Sequence, residues 1–89
     1  MKSVTTKRFR AAYLELPKEI RRKAQQSYKQ FREDPYHASL NFKQVHPVKP
    51  MYSVRITLGY RAVGILQGEQ IVWFWLGTHA EYDKLISQL

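Results

Sequence analysis

No cysteine occurs in this chain, which excludes disulfides, thiolate metal sites and a cysteine nucleophile. Long apolar runs are missing too. The longest, Ile71 to Gly77, falls far short of the ~20 residues that cross a bilayer, and the opening MKSVTTKRFR lacks the apolar stretch of a signal peptide. A soluble cytoplasmic protein is expected. Acidic residues are scarce: seven Asp and Glu stand against fifteen Lys and Arg, for a net charge of +8. Residues 1–50 hold twelve Lys/Arg and four Asp/Glu, whereas residues 51–89 hold three of each, so the first part carries the whole excess. Such a basic surface suits polyanions, either nucleic acid or an acidic protein, because phosphate neutralisation releases counterions. With 89 residues, one domain spanning 1–89 with a thin core is expected.

The first half reads as helices. Ser3 to Thr6 suits a short edge strand, with Thr6 able to cap the helix after it. Phe9, Ala12, Tyr13 and Leu16 then recur at i, i+3, i+4 and i+7, the spacing of a helix with one buried stripe. Pro17 opens a second helix in which Ile20, Ala24, Tyr28 and Phe31 keep the same period and Lys18, Arg21, Arg22, Lys29 and Arg32 fill the outer face. Asp34-Pro35 ends it, because proline disfavours helical backbone in the residue before it. The pair forms an αα-hairpin that needs a partner surface. Tyr36 to Pro50 reads as a partly ordered connection anchored by Leu40, Phe42 and Val45; His37 and His46 lack companions at metal-ligand spacing and read as loop residues.

The stretch from Met51 to Leu89 supplies the partner. Tyr52, Val54 and Ile56 alternate with Ser53, Arg55 and Thr57; Leu58-Gly59 turns; Tyr60 to Leu66 returns with Arg61 in phase with Val63 and Ile65; Gln67-Gly68-Glu69 turns again. Ile71 to Leu76 is apolar on both faces, as in a strand covered from both sides. Thr78 followed by Glu81 matches a capping box, which starts a last helix at His79 and turns His79 and Tyr82 in one direction. The expected fold class is α+β: an N-terminal αα-hairpin on a small, mostly antiparallel four-stranded sheet with a short C-terminal helix.

If strand pairing brings Arg55, Arg61, His79 and Tyr82 to one open face, the set offers two phosphate clamps, a group titrating near neutral pH and a phenol donor. Those groups suit RNA cleavage, in which a base deprotonates a ribose 2′-OH, cations stabilise the charge on the phosphoryl oxygens and an acid protonates the leaving 5′-oxygen. The bland alternative ties Arg61 to a carboxylate such as Asp83 and makes Tyr82 a core aromatic.

Leu16-Pro17, the αα-hairpin, Tyr52-Ser-Val-Arg55, Gly59-Tyr60-Arg61-Ala62-Val63 and Trp75-Leu-Gly-Thr-His79-Ala-Glu-Tyr82-Asp83-Lys84-Leu85 together resemble the RelE/ParE superfamily of type II toxins. The resemblance implies a β-α-α-β-β-β-α fold. It also implies a ribosome-dependent endoribonuclease that cuts messenger RNA in the A site with neither metal nor other cofactor, restrained by a cognate acidic antitoxin. By that likeness Arg61 is the phosphate-stabilising arginine, Arg55 the second basic residue, and His79 and Tyr82 the catalytic residues near the C-terminus; Lys43, Lys49, Arg22 and Ser53 are expected at the RNA. Ser53 stands where RelE-like chains carry a lysine, and Thr78-His79 where they carry a basic residue after the last strand. Two other readings accompany it: a ParE-like inhibitor that binds DNA gyrase, and a non-catalytic basic binding module.

Overall fold

A computed structural model describes residues 1–89. Strand β1 (Lys2–Thr5) runs straight into helix α1 (Lys7–Leu14) through Thr6, whose Oγ1 accepts from the Phe9 N–H at 3.1 Å. Pro17, just before the first helical residue, starts α2 (Lys18–Glu33), and its missing N–H costs nothing where helical N–H groups have no partner anyway. The inner stripe of α2 differs from the expected one at a single position. Ser27 faces the sheet, its Oγ directed at the Ile56 carbonyl at 3.4 Å, while Tyr28 sits at the rim with its hydroxyl on the Ser3 carbonyl at 3.3 Å. Asp34 leaves the helix in extended backbone, as the following proline requires.

The sheet has five strands in the order β1-β5-β4-β3-β2, where β2 is Lys43–Gln44, β3 Met51–Thr57, β4 Tyr60–Gln67 and β5 Gln70–Thr78; helix α3 (His79–Ser87) closes the chain. The fold class holds, and the strand count is corrected from four to five by β2. Two exposed polar residues carry no alternation to read. They become a strand because Tyr52 and Ser53 pair with them, after a 3₁₀ turn at Ala38–Leu40 whose end is set by Asn41 in the left-handed region (φ 47°). Leu40 in that turn is fully buried, so the connection anchors on it as expected. Strand β1 pairs parallel with β5, and the remaining pairings are antiparallel.

One irregularity sorts the two faces. Val63 pairs with Trp75 and Gly64 with Trp73, which leaves Phe74 as an extra residue in β5. Alternation then skips a step. Ile71, Trp73 and Leu76 pack on the helix side with Phe31, Leu40, Val54 and Ala62, and Trp75 and Gly77 fall on the other side, under α3. Phe31 lies edge-on to Trp73 at 5.3 Å and to Phe42 at 5.1 Å. Full burial of one such ring contributes about 1.5–3 kcal/mol, a large share for so thin a core.

Candidate functional site

The face of the sheet opposite the αα-hairpin is ordered in rows by the strand register. Lys43, Ser53, Val63 and Trp75 form one row, and Arg55, Arg61 and Gly77 form the next. Arg55 and Arg61 are direct cross-strand partners, a like-charged pair that by itself disfavours folding. The Arg61 guanidinium is held through Nη1 alone, which donates to the carbonyls of Thr57 (2.5 Å), Tyr60 (3.0 Å) and Leu58 (3.4 Å) in the β3–β4 turn. Its Nε and Nη2 stay available. Partial burial, and next the charge of Arg55, pull the Arg61 pKa below its ordinary value, with Tyr82 and Asp83 opposing. A guanidinium nevertheless stays charged at neutral pH. Arg55 donates Nε to the Ser39 carbonyl at 3.2 Å, which leaves both of its terminal nitrogens free.

His79 is placed by the start of α3. The expected capping box is present: Thr78 Oγ1 accepts from the Glu81 N–H at 3.2 Å, and Glu81 Oε1 accepts from the Thr78 N–H at 2.9 Å. The Thr78 N–H and the Thr78 hydroxyl, which also donates to Glu81 Oε1 at 2.9 Å, hold the Glu81 carboxyl below its usual range. The His79 N–H donates to the Gly59 carbonyl at 2.8 Å, tying the helix start to the same turn that holds Arg61. Its Nδ1 lies 3.2 Å from Asp83 Oδ2 one helical turn on. In the tautomer protonated at Nδ1, that contact is a hydrogen bond to the carboxylate and Nε2 is the acceptor nitrogen. Asp83 therefore serves His79, not Arg61, as its partner. The i, i+4 spacing is the signal that could have shown it.

Two expected site residues, Ser53 and Tyr82, are buried. Ser53 is only 2% exposed, and the Tyr82 hydroxyl, on a side chain 8% exposed, donates to its Oγ at 3.0 Å. Alternation put Ser53 on an open face, but α3 folds over that part of the sheet. The two hydroxyls thus meet each other beneath α3 and not at the open surface. We expect Tyr82→Phe and Ser53→Ala each to cost about 1–3 kcal/mol in urea unfolding, with the double variant well short of the sum, since removing both partners leaves no unsatisfied group. A double variant as unstable as the sum would show that the two hydroxyls are not coupled.

Among the remaining candidates, Lys43 is exposed on the same face as Arg55 and Arg61, and Lys49 is exposed in the loop that His46 closes by accepting the Val48 and Lys49 N–H groups at 3.1 and 2.8 Å. Arg22 is different. It lies on the helix layer across the sheet, its guanidinium bonded to Glu19, and takes no part in this surface. No group of three or more His, Asp or Glu converges as a metal site would require.

A family model described as a ParE-like toxin domain matches residues 18–84. No curated protein sequence matches. Among solved structures, the chain is similar to one in the RelB–RelE antitoxin–toxin complex from Methanococcus jannaschii (TM-score 0.74, 14% identity, 92% of this chain and 96% of that one). It is also similar to the YoeB/ParE toxin from Agrobacterium tumefaciens (0.70, 18%, 89% and 99%). The isolated RelE toxin from E. coli is a third (0.66, 14%, 99% and 98%). At such identities the likeness establishes a shared RelE-like fold, while function must be argued from the site.

Proposed function

The chain belongs to the ParE-like toxin domain family, and from that premise we propose that it is the toxin of a type II toxin–antitoxin pair, acting as a ribosome-dependent endoribonuclease on messenger RNA. The observation that carries the reading is the pairing of Arg55 with Arg61 across β3 and β4, beside a His79 whose Nδ1 is engaged by Asp83. His79 Nε2 accepts the proton of a ribose 2′-OH, and the 2′-oxygen attacks the adjacent phosphorus. The P–O5′ bond breaks, giving a 2′,3′-cyclic phosphate, and the leaving 5′-oxygen takes up the proton carried by the imidazolium. The free guanidinium nitrogens of Arg61 and Arg55 stabilise the charge on the phosphoryl oxygens as it builds.

The partner follows from charge. Helices α1 and α2 and their junction, residues 7–33, carry nine Lys/Arg against three Glu, a layer suited to an acidic antitoxin, and RelB–RelE structures show toxins of this fold in complex with an antitoxin. The test is expression in cells, with primer extension on messages. The wild type should arrest growth and leave cuts within codons, and His79→Ala should leave messages whole. A second reading, gyrase inhibition by binding, draws on the ParE-like description and on the buried Tyr82 phenol, which leaves the site one acid short. Arrest with a DNA-damage response, intact messages and a still-toxic His79→Ala would favour it. Harmless expression would favour a non-catalytic module.

A further inference from the structure

On the other side of the β3–β4 turn from Arg61 lies a polar cleft of about 540 Å³, lined by Lys23, Gln26, Ser27 and Gln30 of α2, by Ser39, and by Ile56 to Gly59. Its volume falls in the ~300–1,000 Å³ range of small-ligand sites. The cleft and the Arg61–His79 surface share a wall. Thr57 and Leu58, whose carbonyls hold Arg61, and Gly59, whose carbonyl holds His79, all line it, and the Ser39 carbonyl at its edge accepts from Arg55.

The lining has an unusual chemistry for a gap beneath a helix. No acidic residue is present, and only two of the nine lining residues are hydrophobic. Gln25, outside the cleft, donates to the Tyr13 hydroxyl at 2.6 Å, and Ser27 is directed at the Ile56 carbonyl, but the Gln26 and Gln30 amides make no hydrogen bond within the chain. Lys23 has no ion-pair partner. Lys23, Gln26 and Gln30 follow at i, i+3 and i+7, so one face of α2 presents an ammonium and two primary amides in a row. A primary amide offers a donor and an acceptor side by side, the complement of a nucleobase edge, and lysine offers a point charge to phosphate. Exposed Leu58 and half-buried Ile56 give the base an apolar wall but no aromatic stack. Hydrogen bonding therefore outweighs stacking, which makes the cleft a discriminator between bases more than a source of affinity.

We propose that this cleft is a second nucleotide subsite, reading a base of the single-stranded RNA next to the one positioned at Arg61 and His79. As a subsite of the cleaved message it rests on the ribonuclease reading, and two separate measurements keep the fates of the two apart. In the first, the four ribonucleoside 3′-monophosphates are titrated to millimolar concentration into the ¹⁵N-labelled protein. The side-chain amide signals of Gln26 and Gln30 should shift, more for one base than for the others, and the response should vanish in Gln26→Ala/Gln30→Ala. Signals that stay in place with all four, or shifts confined to Arg55, Arg61 and His79, would overturn the subsite whatever the protein does to messages. In the second, cut positions are mapped in cells. The double variant should keep cutting within about tenfold of wild type while the base preference at one position beside the cut disappears. An unchanged preference at every flanking position would overturn the proposal, whereas loss of cutting in His79→Ala alone bears only on the nuclease reading.

Discussion

Arg61→Ala should lower message cutting by about 10²–10³-fold, the usual cost of removing one donor aimed at developing transition-state charge. The reason is geometric. Three carbonyls of the β3–β4 turn grip one nitrogen of the guanidinium, so the remaining fork is fixed before substrate arrives and loses little rotamer entropy on binding phosphate. Arg55, with a single contact to Ser39, is less constrained, and Arg55→Ala should cost about tenfold, the worth of a looser charged contact. Arg61→Lys keeps the charge but loses the fork, and should recover only part of the rate. Cleavage of ribosome-bound message, measured beside thermal melting, separates chemistry from folding. Cutting by Arg61→Ala at the wild-type rate, with its fold intact, would remove the arginine from the mechanism.

The largest effect on stability is expected at Gly64, which sits where β5 takes its extra residue. A methyl group there would come within 2.8 Å of Trp73 Cε3 and 3.0 Å of both Ile71 Cγ1 and the Val72 carbonyl oxygen. None of these can yield easily, because Trp73 and Ile71 are packed in the core and the third atom belongs to the central backbone. Gly64→Ala should cost about 1–3 kcal/mol or more by overpacking, at about 4–8 °C of melting temperature per kcal/mol for a domain of this size. Gly59→Ala is the control. At Gly59 the nearest atom to a new methyl is Thr57 Oγ1 at 3.9 Å and φ is ordinary, so that variant should be neutral or gain up to about 1 kcal/mol through the unfolded state. Equal melting temperatures for the two variants would mean that the bulge accommodates a methyl group after all.

The contrast between Thr78 and Ser53 shows which parts of the site were legible. Thr78, Glu81 and the start of α3 were readable because a capping box closes within four residues, and its hydrogen bonds hold wherever the helix packs. The same is true of Thr6, of the helical stripes through Phe9 and Phe31, and of the stop at Asp34-Pro35. Arg55 and Arg61 were brought together as expected, since a hairpin with its turn at Leu58-Gly59 pairs them. Ser53 has the same strand phase as Arg55, yet one is sealed by Tyr82 and the other reaches solvent. Strand period assigns a face but cannot say how far along it a helix from the far end of the chain will lie. Asp83 differs, since its partner His79 stands one turn away on the same helix and that spacing was open to reading.

Short-range order was thus written into the residues themselves: two basic amphipathic helices, a three-strand meander, a capped final helix and an arginine pair, each closed by contacts between near neighbours in the chain. Long-range pairing settled the rest. The fifth strand exists because Tyr52 and Ser53 accept it, the extra residue at Phe74 assigns Trp73 and Trp75 to opposite faces, and the docking of α3 makes Tyr82 internal while leaving His79 at the surface. Those outcomes depend on interaction energies between segments tens of residues apart, which no local period records.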